Sequence, residues 1–231
     1  MITSQTPTNW RALQQDVARI LTEAGFSADV EKVVANARGQ AEIDVYAEEI
    51  IQGRRYVVLV ECKNWSAAIP QNVVHGFRTV VTDTGANVGY IVSANGFQSG
   101  AIVAAQHSNV KLVTWQEFQD TFEPTWLERY LFPTMEKRLA ALWSFTEPLY
   151  AAPPRSHPSQ VPLGPHQAAW WAYADPAWVL DKFTSIQQGM RGASVPRLPL
   201  RSYVKADVAA LMPSDLLDAV GYREFLNAAI A

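Results

Sequence analysis

Asp44, Glu61 and Lys63 carry the chemistry that this sequence offers. Glu61 and Lys63 end the run Arg55-Tyr56-Val57-Val58-Leu59-Val60-Glu61-Cys62-Lys63, which reads as a central strand until two charges arrive. Side chains two apart on a strand share a face, about 6 to 7 Å from each other along the chain, so Cys62 between them faces the other way. Asp44 stands in Ala41-Glu42-Ile43-Asp44-Val45-Tyr46-Ala47, where positions 43, 45 and 47 are apolar and alternate with polar ones. It is expected to point away from the face of Ile43 and Val45. The Gln52-Gly53 turn joins the two strands, and a hairpin pairing them sets Asp44 beside Glu61. Two such carboxylates are hard ligands for magnesium, or alternatively manganese, which leave other positions to water and phosphate oxygens. A lysine on the rim can hold the attacking water and offset charge that builds on phosphorus. Metal-assisted hydrolysis of a phosphodiester is the chemistry implied. The bland alternative is a solvated strand end, and Asp44 at hairpin distance argues against it.

The surrounding elements have to bring these residues together. Thr8 or Asn9 can cap a helix from about Trp10 to Ala24, with Leu13, Val17, Ile20, Leu21 and Ala24 on its apolar face and Gly25 ending it. Residues 28–34 alternate well enough for a strand. Pro70 opens a second helix with Val73, Val74, Phe77, Val80 and Val81 inward. A strand over 87–93, a helix over 97–107 and a strand over 110–113 follow. The order predicts a mixed sheet with helices on both faces. Lys32, Arg38, Arg54 and Arg55 are the basic residues that can hold DNA phosphates, although hairpin-tip arginines are also common as solvated edge guards. Gln98 and Ser99 at a helix start are weaker phosphate candidates.

Asp44 followed by Glu61-Cys62-Lys63-Asn64-Trp65 after an apolar strand resembles the PD-(D/E)xK nuclease motif, and in particular the Mrr-like restriction endonuclease family. The resemblance runs over about residues 8–120. It includes Leu13 to Phe26 upstream, and downstream Val73, Val74, Phe77, Gly85 to Ser93 and Gly96 to Ala105. It implies a restriction-endonuclease-like α/β fold with Asp44 and Glu61 on the metal, the backbone carbonyl of Cys62 as a further ligand, and Lys63 aligning the water. Gln14 falls where the family often carries a metal-placing glutamate, so it is an accessory with an acceptor oxygen and no charge. Glu42, two residues before Asp44, is a second candidate for a compensating carboxylate. Gly39-Gln40-Ala41-Glu42 also departs from the family's glycine-rich approach to the aspartate.

Across 231 residues the formal net charge is -3, so no global basic field announces nucleic acid and any DNA contact relies on a local patch. One cysteine allows no internal disulfide, which fits a reducing cytoplasm, and its thiol reads as a small core filler. The start of the chain has neither the basic nor the apolar part of a secretory signal, and no apolar run is long enough for a membrane span.

The expected division is a nuclease-like domain over 1–120 and a mainly helical, aromatic-rich region over 121–231. The second part has a Pro-rich connector at 148–165 and helical stretches over 167–187 and 205–230. Its aromatics at helical spacing read as core or as an interface for a protein partner or a second copy. The leading function is a magnesium-dependent endodeoxyribonuclease, in restriction or anti-phage defence, alone or as a subunit of a larger system. A homodimer would let two active sites cut two strands. The alternatives are a catalytically relaxed DNA-binding or scaffolding subunit and a repair or junction-resolving nuclease.

Overall fold

A computed structural model of the chain describes residues 1–138, 140, 179–180 and 196–230. The Pro-rich connector at 148–165, and all of 167–187 except 179–180, lie outside the described residues. Two compact units divide the chain, one of Met1 and Gln5–Arg129, the other of Ile2–Ser4 and Tyr130–Ala231.

The first unit follows the expected order. Asn9 caps α1 (Trp10–Glu23), its Oδ1 accepting from the Ala12 N–H at 2.9 Å, and Leu13, Val17, Ile20 and Leu21 form the buried stripe. Gly25 ends the helix at φ +96°, where a Cβ would also meet the Arg129 side chain at 2.6 Å. Strands β1 (Ser27–Asn36), β2 (Gly39–Ile51) and β3 (Arg54–Lys63) form an antiparallel meander. Gln52 and Gly53, both at positive φ, make the two-residue turn that matches strand twist. Helix α2 (Gln71–Asp83) crosses over to β4 (Val88–Ser93), and α3 (Ser99–Ala105) leads to β5 (Val110–Thr114); β3, β4 and β5 run parallel. The sheet order is β1-β2-β3-β4-β5.

Its core face under α2 and α3 joins Leu59, Val74, Phe77, Val81, Ile91 and Ala101. Gly89 on β4 lets α2 come this close. A Cβ there would lie 2.5 Å from Val81 Cγ2 and 2.7 Å from Phe77 Cε1. Gly89→Ala is therefore expected to lower stability by about 1–3 kcal/mol through overpacking, read as a lower urea midpoint with an unchanged slope.

A helix begins ahead of the boundary expected between residues 120 and 121. Thr114 and Glu117 form a capping box that starts α4 (Trp115–Trp126) directly after β5. Phe118 and Phe122 pack edge-on against Tyr90, at centroid distances of 5.9 and 5.7 Å, and Trp126 is buried with its indole N–H on Glu23 at 2.6 Å. These aromatics are core. Leu127–Leu131 widens into a π-helical turn ahead of helix 132–138, which contains Pro133; the wider turn relieves a ring that cannot donate.

In the second unit, the stretch expected as one helical region over 205–230 is three short helices, α5 (Ala206–Ala209), α6 (Ser214–Asp218) and α7 (Tyr222–Ile230). Pro213 caps α6, and Gly221 precedes α7. The Ile2 carbonyl accepts from the Arg223 N–H at 2.8 Å, which seats Ile2 in a fully buried position.

Candidate active site

The hairpin of β2 and β3 does what the sequence requires of it. The ladder pairs Tyr46 with Leu59 and Val45 with Val60, and there it stops. One step further would set Asp44 opposite Glu61. Instead the Asp44 carboxylate leaves the ladder: Oδ2 accepts from the backbone N–H of Cys62 at 2.7 Å, and Oδ1 accepts from Gln14 Nε2 at 2.9 Å.

The chain bends at this point, against the expectation of strict alternation. Ile43 belongs to the same buried cluster as Tyr46 and Leu59, three residues away on its own strand, so residues 43 and 45 do not share a face. The neighbouring strand shows why. Glu31 takes a left-handed φ of 54° and pairs with nothing on β2, although Val30↔Val45 and Lys32↔Ile43 flank it in register. Beyond the bend, the arm of β1 and β2 reaches the end of α2, where the Ala37 N–H donates to the Asp83 carbonyl at 3.1 Å and Arg38 Nε to the Asp83 carboxylate at 2.9 Å.

Glu61 and Lys63 share one face at the end of β3 and form an ion pair, with side chains 22% and 19% exposed. Burial raises the Glu61 carboxyl above its ordinary value and the negative charge of Asp44 raises it further, against the opposing pull of Lys63. Two carboxylates are thus held close enough to repel, in partial shelter from water. A divalent cation relieves that repulsion, and magnesium needs only one or two protein carboxylates when water and phosphate fill the rest. The donor set fits such an ion.

Cys62 contributes through its backbone. Its side chain is 5% exposed and burial pushes the thiol well up, which leaves it inert as a nucleophile. The Lys63 carbonyl accepts from the Ala94 N–H beside β4, so the Cys62 carbonyl leaves the strand on the opposite edge, the one that faces Asp44. Gln14, 3% exposed, holds Asp44 rather than adding a charge.

Glu42 is exposed and pairs across to Val33, beyond the bend. Among the described residues no cluster of three or more acidic, histidine or cysteine side chains could hold a metal, so Glu42 is not gathered with Asp44 and Glu61.

The basic candidates are mostly engaged elsewhere. Arg54 and Arg55 open β3, about 20 Å or more from Glu61 at strand spacing. Arg55 donates to Glu48 at 2.7 Å and to the Tyr46 hydroxyl at 2.6 Å. Lys32 lies 2.8 Å from Asp29 and 4.0 Å from the Tyr46 ring centroid. Sequence reasoning gave Trp65 no role, yet the Lys63 ammonium lies 5.7 Å from its ring, and the Asn95 side chain binds its carbonyl. Asn95 follows β4 as Trp65 follows β3. Parallel pairing of adjacent strands is the signal that would have joined them.

A mixed five-stranded sheet flanked by helices, with this set at the end of its third strand, is a restriction-endonuclease-like arrangement. The Mrr catalytic-domain family model (Mrr_cat, restriction endonuclease) matches residues 7–122, and the chain belongs to that family. Among solved structures, a protein of unknown function, AF1548, matches over 80% of this chain and 100% of its own, with 18% identity and a TM-score of 0.41. The DNA modification-dependent restriction endonuclease AspBHI matches over 50% of this chain and 35% of its own, with 14% identity and a TM-score of 0.32. No curated protein matches. No helix among the described residues is long and apolar enough to cross a membrane.

Proposed function

We propose that the protein is a magnesium-dependent endodeoxyribonuclease, with residues 1–120 as its nuclease domain. The observation that carries this reading is the convergence of Asp44 and Glu61, two mutually repelling carboxylates, with Lys63 beside them at the end of β3. Asp44, Glu61 and the Cys62 carbonyl would hold the cation. When bound, the cation supplies polarisation of a phosphate oxygen and a lowered pKa for water.

The remaining work falls to the chain itself. Gln14 fixes the rotamer of Asp44 by donating to Oδ1, and the Cys62 N–H fixes it from the other side. Lys63 holds the attacking water by hydrogen bond and places positive charge where the phosphorane oxygens gain negative charge. Lys32 and Arg38 are the proposed phosphate contacts on the β1–β2 arm, and Arg54 and Arg55 those at the far hairpin, which would need a substrate long enough to span the sheet. Membership of a restriction endonuclease family supports a cytoplasmic role in defence against incoming DNA. Residues 121–231 are proposed as the surface for a second copy or a partner subunit.

The test is incubation of the purified chain with plasmid DNA in magnesium, in manganese and in chelator. Cleavage is expected with either metal and none with chelator. Cleavage that persists in chelator removes the metal reading. DNA left intact in every metal, as plasmid and as single strand alike, yet still bound, favours the scaffolding alternative, for which the uncharged Gln14 is the specific observation.

Gln14→Glu sharpens the metal question. It replaces a buried donor by a carboxylate facing Asp44, so stability in chelator is expected to fall by about 1–3 kcal/mol. Magnesium is expected to raise the melting temperature more in the variant than in the parent, because it neutralises three carboxylates instead of two.

A further inference from the structure

The active end of the sheet displays two tryptophans that packing does not explain. Trp10 is 44% exposed and Trp65 is 45% exposed, whereas Trp126 of the same unit is fully buried. Both belong to the end at which Lys63 sits. Trp65 follows Lys63 by two residues. Helix α1 runs away from that end: Gln14 in its second turn binds Asp44, while Ala24 past its last turn shares Arg129 with Glu49, far along β2. Trp10, one helical turn before Gln14, therefore projects beyond Asp44 in the same sense as Trp65 beyond Lys63.

Each ring is accompanied by a cation. Arg11 Cζ lies 4.5 Å from the Trp10 ring centroid, and Lys63 Nζ lies 5.7 Å from that of Trp65. The backbone of Trp65 is also tied down, since Asn95 donates to its carbonyl. An exposed indole on an anchored backbone, beside a positive charge, has the chemistry of a stacking platform for a nucleobase whose phosphate is neutralised next to it. A paired base in duplex DNA offers no free face to such a ring.

We propose that Trp10 and Trp65 stack on unpaired nucleobases that flank the scissile phosphate, so that the site takes single-stranded or locally melted DNA in preference to intact duplex. The inference rests on the nuclease reading for the position of the phosphate, but its test needs no cleavage.

The full chain, in chelator, is titrated with a short fluorescent oligodeoxynucleotide as a single strand and as its duplex. The single strand is expected to bind more tightly. Trp10→Ala and Trp65→Ala are each expected to weaken single-strand binding by about 5- to 100-fold, and Trp65→Phe to restore most of the loss because a ring is kept. Both side chains are exposed, so circular dichroism of the alanine variants should match the parent. Equal affinity for strand and duplex, undiminished binding by the alanine variants, or no single-strand binding overturns the proposal. A chain that binds single strands through these rings and never cleaves would overturn the nuclease reading alone.

Discussion

Lys63→Ala is expected to lower the rate of plasmid cleavage in magnesium by about 10²- to 10³-fold, with the fold intact. The ammonium is paired with Glu61 on the same face of β3. Removing it deletes a preorganised donor at the point where charge develops during phosphoryl transfer. The effect belongs to the chemical step, so single-turnover rate should fall while DNA binding changes little. Stability should change little too. Lys63 and Glu61 are both partly exposed, so the carboxylate left without its partner keeps contact with water. Lys63→Arg keeps the charge but presents a planar fork in place of a compact point, and is expected to recover only part of the rate. A Lys63→Ala protein that cuts at the parental rate would remove Lys63 from the mechanism.

Asp44→Ala should be the more damaging change, because it acts on the fold and on the site together. Cleavage is expected to fall by at least about 10²-fold with loss of a proposed ligand. In addition, the Cys62 N–H and Gln14 Nε2 both lose their acceptor, at about 1–3 kcal/mol each for buried donors left unpaired. Chemical denaturation should therefore show a clear drop in midpoint. Asp44→Asn separates the two effects. Its side-chain oxygen can still accept from Cys62, and Gln14 can turn its amide to accept from the new NH₂ group, so most of the stability should return while activity does not. Equal destabilisation by both substitutions would mean that the hydrogen bonds count for little.

Much of the site was legible because it depends on period and spacing. The two-residue step from Glu61 to Lys63 fixes a shared face, and the Gln52-Gly53 turn joins the strands that bring Asp44 near Glu61; the register, with Asp44 one step past the last pair Val45↔Val60, was not legible. The bend at Asp44 was not legible. Glu31 has no residue-type preference for a left-handed backbone, so the break in alternation between Ile43 and Val45 leaves no trace in composition. For the same reason Glu42 looked closer to the site than it is. The aromatic helix after β5 was legible as a helix but not in its start, since Thr114 and Glu117 were not read as a capping box. Gln14 was identified by position alone; that it donates to Asp44, instead of presenting its oxygen to a metal, is a matter of side-chain geometry.

Because the amide proton of Cys62 rests on a carboxylate and not on a neighbouring strand, the site contains its own spectroscopic reporter. A cation drawing electron density from Asp44 would weaken that bond, and the nitrogen and proton resonances of residue 62 would move with occupancy. The Val60 amide, one ladder step back where β2 and β3 still pair, supplies the internal reference. Occupancy could then be followed in the resting protein, with neither DNA nor turnover.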